Sequence, residues 1–195
     1  MSLRVGVLAL QGAFNRHQRV LASLGVESRL VKHPGDLDVD ALIIPGGEST
    51  TMTKVLNAEN WLSDIREFAK EYPVFGTCAG AILLSEEVDS PKVIPWGVIS
   101  MKVQRNAYGR QVESFQDDIL WGEPEAQIRL PAVFIRAPRI TETGHEVEIL
   151  GRLHDRPVVV RQGNAMASTF HPELTPNVHL HRFFIDEVCE HAKAA

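Results

Sequence analysis

One short segment constrains the fold of this chain more than any other: Gly76-Thr77-Cys78-Ala79-Gly80. It follows an apolar pair, Val74-Phe75, and runs into another apolar stretch, Ala81-Ile82-Leu83-Leu84. Strand, tight turn and helix in that order make the elbow on which hydrolases present a nucleophile, here with cysteine in place of serine. Small neighbours are needed on both sides, because bulk clashes where the chain reverses. The turn also sets the thiol near a helix's first turn, where unpaired N–H groups and the helix dipole favour a thiolate. A lone cysteine is more often a small core residue. Cys189 fits that description, lying among Phe183, Phe184, Ile185 and Val188 in an amphipathic C-terminal segment. The flanking glycines move Cys78 toward the nucleophile reading.

The 195 residues are enough for one well-filled core and short for two, so residues 1–195 read as a single domain. Charge is mildly acidic, 20 basic against 25 acidic residues, without a basic tract; this argues against nucleic acid as a principal partner. No apolar run reaches membrane-spanning length, so no membrane partner is expected. The start, Met1-Ser2-Leu3-Arg4-Val5-Gly6-Val7-Leu8, reads as a first strand rather than a secretory signal. Two cysteines make no disulfide framework, and a reducing, cytoplasmic setting is the expectation.

Apolar runs then alternate with helical patterns. Arg4 to Leu10, Glu27 to Val31, Ala41 to Ile44 and Val74 to Gly76 read as strands. Phe14 to Leu24 reads as a helix capped at Gly25, and Trp61, Ile65 and Phe68 mark another that stops before Pro73. This alternation predicts an α/β fold of three layers, a mostly parallel, flavodoxin-like sheet flanked by helices. Sites in such sheets lie beyond the carboxyl ends of the strands, where Pro45-Gly46-Gly47 and Cys78 both fall. In the second half, Val98 to Val103, Ala132 to Ile135, Val147 to Leu153, Val158 to Gln162 and Ala165 to Phe170 read as short strands, predicting antiparallel additions. Val178 to Ala192 reads as a closing helix, and Gln104 to Pro131 as long loops.

A thiol nucleophile needs a base, and the base needs an orienting group. His171-Pro172-Glu173 supplies both. Proline keeps His171 out of the helical region. In an extended chain, residues two apart point the same way, so Glu173 accepts from one imidazole nitrogen while the other faces Cys78. The alternative is a surface loop with two polar residues. The remaining histidines, His17, His33, His145, His154, His179, His181 and His191, lack comparable context, and no metal-ligand set is visible. Acyl chemistry also needs oxyanion donors. The N–H of Ala79 is placed for one, and Gly46-Gly47 for the other; a plain strand-to-helix turn is the competing reading there. Glu48-Ser49-Thr50-Thr51 reads as a capped helix start in either case.

Taken together, these residues resemble the triad-type (class I) glutamine amidotransferases, and most closely the glutaminase subunits of two-subunit pyridoxal 5′-phosphate synthases. The segments that carry the resemblance are Gly6 to Ala13, Pro45 to Thr51, Phe75 to Gly80, Arg105-Asn106-Ala107-Tyr108-Gly109-Arg110-Gln111, Phe134 to Pro138 and Ser168 to Leu174, in order along almost the whole chain. The resemblance implies Cys78 as nucleophile on the glutamine side-chain amide, His171 as proton shuttle and Glu173 as its orienting group. It implies Gly47 and Ala79 as oxyanion donors, and glutamine held by Gly47, Glu48, Ser49, Arg105, Ile135 and Arg136. Guanidinium groups suit a carboxylate, although a structural ion pair is the alternative for either arginine. No cofactor and no metal are implied. The implied partner is a synthase barrel subunit that receives the ammonia. The Gly46-Gly47 strand would be a switch, and Gln11-Gly12-Ala13 a docking contact. Ala107-Tyr108 stands where Ser-Phe is frequent. Rival readings are a stand-alone thiol hydrolase or peptidase on a similar fold, and a non-catalytic scaffold subunit.

Overall fold

Short apolar runs buried on both faces build the central strands of the first half of the chain. The computed structural model describes residues 3–107 and 114–190. β1 (Arg4–Leu8), α1 (Phe14–Ser23), β2 (Glu27–Val31), β3 (Ala41–Ile44), α2 (Ser49–Ala58), α3 (Leu62–Glu71) and β4 (Val74–Thr77) follow in order. α4 (Ala79–Leu84), β5 (Ser85–Val88), β6 (Ile99–Gln104), β7 (Ser114–Trp121) and β8 (Ile128–Ile135) come next. β9 (Arg139–Thr143), β10 (Glu148–Leu153), β11 (Arg156–Gln162), β12 (Ala165–Ser168) and α5 (His179–Phe183) complete the series.

Among the described residues, nine strands form one sheet, in the order β2-β1-β3-β4-β12-β11-β10-β7-β8. β2, β1, β3, β4 and β12 run parallel. From β12 outward every pairing is antiparallel. The parallel half has the flavodoxin-like strand order, with β12 in fifth place and the switch point between β1 and β3. β5, β6 and β9 form a second, smaller sheet.

Side chains alternate between two apolar layers, as the strand period requires. Leu8, Leu42, Ile44, Val74 and Ala167 pack with α2, α3, α4 and the small sheet. Val5, Val7, Ile43, Phe75 and Met166 pack on the other face with Leu21 of α1 and with Leu180, Phe184 and Val188. Cys189 is buried in that second layer, as core filler.

Three strands lie outside the sequence expectation. β5 and β9 flank β6, and β7 pairs with β8 over eight positions in the stretch expected to be loop. Gln116-Asp117-Asp118 hides β7, because these exposed polar residues have poor strand propensity; long cross-strand pairing supplies what the local sequence lacks. The closing helix is also irregular. α5 passes into a wider π-type turn over Phe184–Cys189, and the last residues of the expected helix lie outside the described residues.

The elbow itself depends on its glycines. A Cβ at Gly80 would sit 2.1 Å from the Ile44 carbonyl oxygen, and one at Gly76 would sit 2.6 Å from that of Gly80. Backbone cannot swing aside as a side-chain end can. Gly80→Ala is therefore expected to destabilise the fold by about 3 kcal/mol, the upper range for overpacking. Urea unfolding checks this: the midpoint should fall with the slope unchanged, and an unchanged midpoint would contradict the contact.

Candidate active site

Cys78 follows β4 directly and carries the backbone strain of the elbow, with φ 49° and ψ −101°. Such a conformation costs a non-glycine residue about 1–3 kcal/mol and persists where the surroundings enforce it. They do here: the Cys78 N–H donates to the Ser168 carbonyl at 2.8 Å, tying the elbow to the end of β12. α4 is only six residues long, so close packing of the glycines, more than a helix dipole, positions the sulfur. Sγ lies 3.9 Å from the Ile135 carbonyl oxygen.

Parallel pairing of β12 with β4 brings His171 to the same edge. Its N–H donates to the Val133 carbonyl at 2.9 Å, and Nδ1 lies 2.8 Å from Glu173 Oε1. The chain is not extended through this pair as expected. Residues Pro172–Leu174 form a single 3-10 turn, which curls Glu173 back beneath the imidazole. Proline favours that turn, since its fixed φ suits a first helical position. Burial opposes charge on His171, but hydrogen bonds and charge interactions with Cys78 and Glu173 outweigh it and raise its pKa to about 10. Cys78 and Glu173 thus favour the protonated imidazole from its two sides.

The pocket at this edge is a cavity of about 310 Å³, lined by Gly47, Glu48, Ser49, Cys78, Arg105, Ile135, Arg136 and His171, all expected from the sequence. Gln11, Gly12, Ile82 and Asn106 also line it. Glu173 sits behind His171, and Ala79 is the first residue of α4, whose opening amides have no intrahelical acceptor. Tyr108 to Gln111, part of the Arg105 motif, lie outside the described residues.

The amides after β3 divide cleanly. The N–H of Gly46 donates to Thr77 Oγ1 at 3.1 Å and that of Glu48 to Gln11 Oε1 at 3.1 Å. Among the described residues, the Gly47 N–H between them has no protein acceptor. Neither Gly46 nor Gly47 has a φ in the left-handed region; space demands glycine at Gly46, where a Cβ would stand 2.3 Å from His171 Cε1, and not at Gly47, where the nearest atom would lie at 3.6 Å.

The two arginines differ. Arg105 donates to Ser90 Oγ at 3.1 Å and pairs with Glu48 at 3.2 Å, so the structural ion pair exists and also faces the cavity. Glu48 in turn caps α2. Burial raises its pKa, but hydrogen bonds from Thr50 and Thr51 take it down to about 2. Arg136 has φ 43°, is exposed, and has no carboxylate partner among the described residues.

One residue set aside in the sequence reading stands at the site. His17, fully buried on the inner face of α1, has Nε2 3.4 Å from Glu173 Oε2. The available signal was its spacing from Leu21, one helical turn away on the same buried face.

Comparison with known proteins is consistent with this geometry. The model of the SNO glutamine amidotransferase family matches residues 7–190. The chain is 46% identical to a Carboxydothermus hydrogenoformans protein named pyridoxal 5′-phosphate synthase subunit PdxT, over 96% of this chain and 99% of that one. It is 49% identical to the protein of that name from Thermotoga neapolitana, over 95% of this chain and all of that one. A crystal structure of a glutamine amidotransferase, 46% identical, superposes with a TM-score of 0.87 over 95% of this chain and 98% of that chain. A PurLQS structure from Thermotoga maritima, 16% identical, shares the fold with a TM-score of 0.68 over 95% of this chain and 99% of that chain.

Proposed function

The chain belongs to the SNO glutamine amidotransferase family, and from that premise we propose that its cavity hydrolyses L-glutamine to L-glutamate and ammonia through a thioester on Cys78. The ammonia serves pyridoxal 5′-phosphate (vitamin B6) synthesis. His171 takes the proton of the Cys78 thiol as the sulfur attacks the side-chain amide carbon, and the carbonyl oxygen becomes an oxyanion facing the N–H groups of Gly47 and Ala79. His171 gives its proton to the departing nitrogen, which leaves as ammonia. Water then loses a proton to His171, attacks the thioester, and releases glutamate and the sulfur. The observation that carries this reading is the His171–Glu173 bond of 2.8 Å beside a strained elbow cysteine in one cavity.

Arg136 is the guanidinium left for the substrate carboxylate. Arg105, already paired with Glu48, serves with Gly47, Ser49 and Ile135 to close the glutamine subsite. Arg136→Ala is expected to raise the KM for glutamine about 10- to 100-fold, since a charge-assisted hydrogen bond is worth about 1.5–3 kcal/mol. Steady-state kinetics check this, and an unchanged KM would remove Arg136 from the subsite.

The receiving partner is a synthase barrel subunit, and the reaction runs in the cytoplasm within a single glutaminase domain. Gln11 supports coupling between the two subunits. It lies in the loop after β1 and holds the Glu48 N–H, so a partner pressing on Gln11-Gly12-Ala13 acts on the strand that carries Gly47. The test is glutamate release from glutamine by the purified chain, alone and with the barrel subunit. Stimulation by the partner is expected. Peptide cleavage without glutamine hydrolysis would favour a stand-alone thiol peptidase instead.

A further inference from the structure

Two buried histidines behind the triad have no part in the reaction as described. His17 of α1 and His181 of α5 are both fully buried, and His17 Nδ1 lies 2.9 Å from His181 Nε2. On its other side, His17 Nε2 is 3.4 Å from Glu173 Oε2 and 3.4 Å from Thr77 Oγ1. Glu173 Oε2 is buried without a hydrogen bond of ordinary geometry, and His17 Nε2 is the donor facing it. Leaving a buried carboxylate oxygen unpaired is costly, so the identity of its neighbour matters.

We infer that His17 is a positioning residue of the active site: its Nε2–H holds Glu173 against His171, and His181 fixes the tautomer that makes this possible. The inference rests on the proposed glutaminase chemistry, which assigns the orienting role to Glu173. A carboxylate only accepts, so His17 carries its proton on Nε2. Nδ1 is then bare and accepts from His181 Nε2–H. His181 Nδ1 is bare in turn, which agrees with its lying buried without a donor. Proton positions thus follow from the partners, from His181 through His17 and Glu173 to His171.

Charge supports the same arrangement. Burial, then the neighbouring His181 and His171, hold the His17 pKa well below its ordinary value, and burial takes His181 to about 4. Both rings stay neutral at the pH of the reaction. A charged His17 would compete with His171 for Glu173. The titratable groups facing His17 are His181 from α5 and His171 and Glu173 after β12; those facing His171 are Cys78 and Glu173. His17 also links the motifs physically. Thr77, beside it, accepts the Gly46 N–H, so α1, the elbow, the oxyanion strand and the His-Pro-Glu turn meet at one imidazole.

The test compares His17→Leu, His17→Gln, Glu173→Ala and the His17→Leu/Glu173→Ala double variant. Two readouts are used: glutamine turnover with the synthase partner present, and the pH dependence of Cys78 alkylation by iodoacetamide. The glutamine side chain places an N–H where Nε2 stands. His17→Leu should lower kcat about 10- to 100-fold with little change in KM, and His17→Gln should recover most of it. The double variant should be no worse than Glu173→Ala, since the two residues act as one unit. Alkylation should show the His171-linked step moved to lower pH in His17→Leu and restored in His17→Gln. Equal impairment of both His17 variants, additive losses, or an unmoved alkylation profile would overturn the inference. Absence of glutamine turnover in the parent chain would count against the glutaminase reading alone, because alkylation reads the Cys78–His171 pair without it.

Discussion

Cys78→Ala is expected to lower glutamate release by about 10⁴-fold or more, the scale of losing a nucleophile in a triad hydrolase, and to leave synthesis from added ammonium salts intact. The two halves of this expectation come from different features. The first follows because, among the described residues lining the cavity, Cys78 is the one thiol and Ser49 the one hydroxyl, and Ser49 is buried in the first turn of α2. The second follows because only the sulfur is removed. The strained backbone at φ 49° is held by the Ser168 carbonyl bond and by the packing of Gly76 against Gly80, none of which involves the side chain. The proposed docking contact at Gln11-Gly12-Ala13 is left unchanged. The imidazole reports the change directly. Part of what raises His171 to about 10 is its interaction with Cys78, so its pKa should fall in the variant. A raised folded-state pKa means His171 adds stability below its unfolded value near 6.5 and loses it as pH rises through about 10. In Cys78→Ala that loss should begin at lower pH. An imidazole titration by NMR, with ammonia- and glutamine-dependent assays on the same sample, decides it. Retained glutamine-dependent synthesis would reduce the chain to a scaffold.

The elbow and the His-Pro-Glu turn were legible because each is a local device. Glycine on both sides of a cysteine, and proline between a histidine and a glutamate, declare a backbone shape within a few residues. Their meeting was not local. It depends on β12 inserting parallel to β4, a pairing of Ser168 with Thr77 across ninety-one positions of sequence. Family resemblance anticipated the meeting; periodicity did not. β7 was illegible for the opposite reason, since Gln116-Asp117-Asp118 carries no apolar alternation and takes its shape from β8. His17 was hidden by chemistry rather than pattern. A histidine on the inner face of an amphipathic helix looks like core, and only the packing of α1 over the turn after β12 shows what it faces. The extended geometry expected at Glu173 gave way to a 3-10 turn because proline suits both, and the residue before the turn, His171, is bonded through its N–H to Val133 of β8.

The second large effect separates two glycines that the sequence presents as a pair. Gly46→Ala should cost about 10²-fold or more in kcat, the scale of a misplacement near 1 Å in a reacting group. The added Cβ would stand 2.3 Å from His171 Cε1, 3.0 Å from its Nδ1 and 3.2 Å from the Cys78 Cβ. The ring is mostly buried and bonded through Nδ1 to Glu173, so it yields only by giving up that bond or by moving into the cavity it lines. Accommodating the methyl breaks that bond or moves the ring off the sulfur, and either outcome stops proton transfer. Stability should fall by only about 1–3 kcal/mol, the ordinary cost of overpacking, because the φ of Gly46 is one that alanine adopts. Gly47→Ala is the control. Its Cβ meets nothing closer than the Gln11 side chain at 3.6 Å, so the resting structure tolerates it. If Gly47 contributes only its N–H as found, the Gly47 variant keeps most of its activity while the Gly46 variant loses it. Equal loss in both, with folding intact by thermal unfolding, would mean that the strand passes through a backbone conformation during turnover that glycine alone reaches. That result would locate the activation switch at Gly47 rather than in the resting contacts of Gly46.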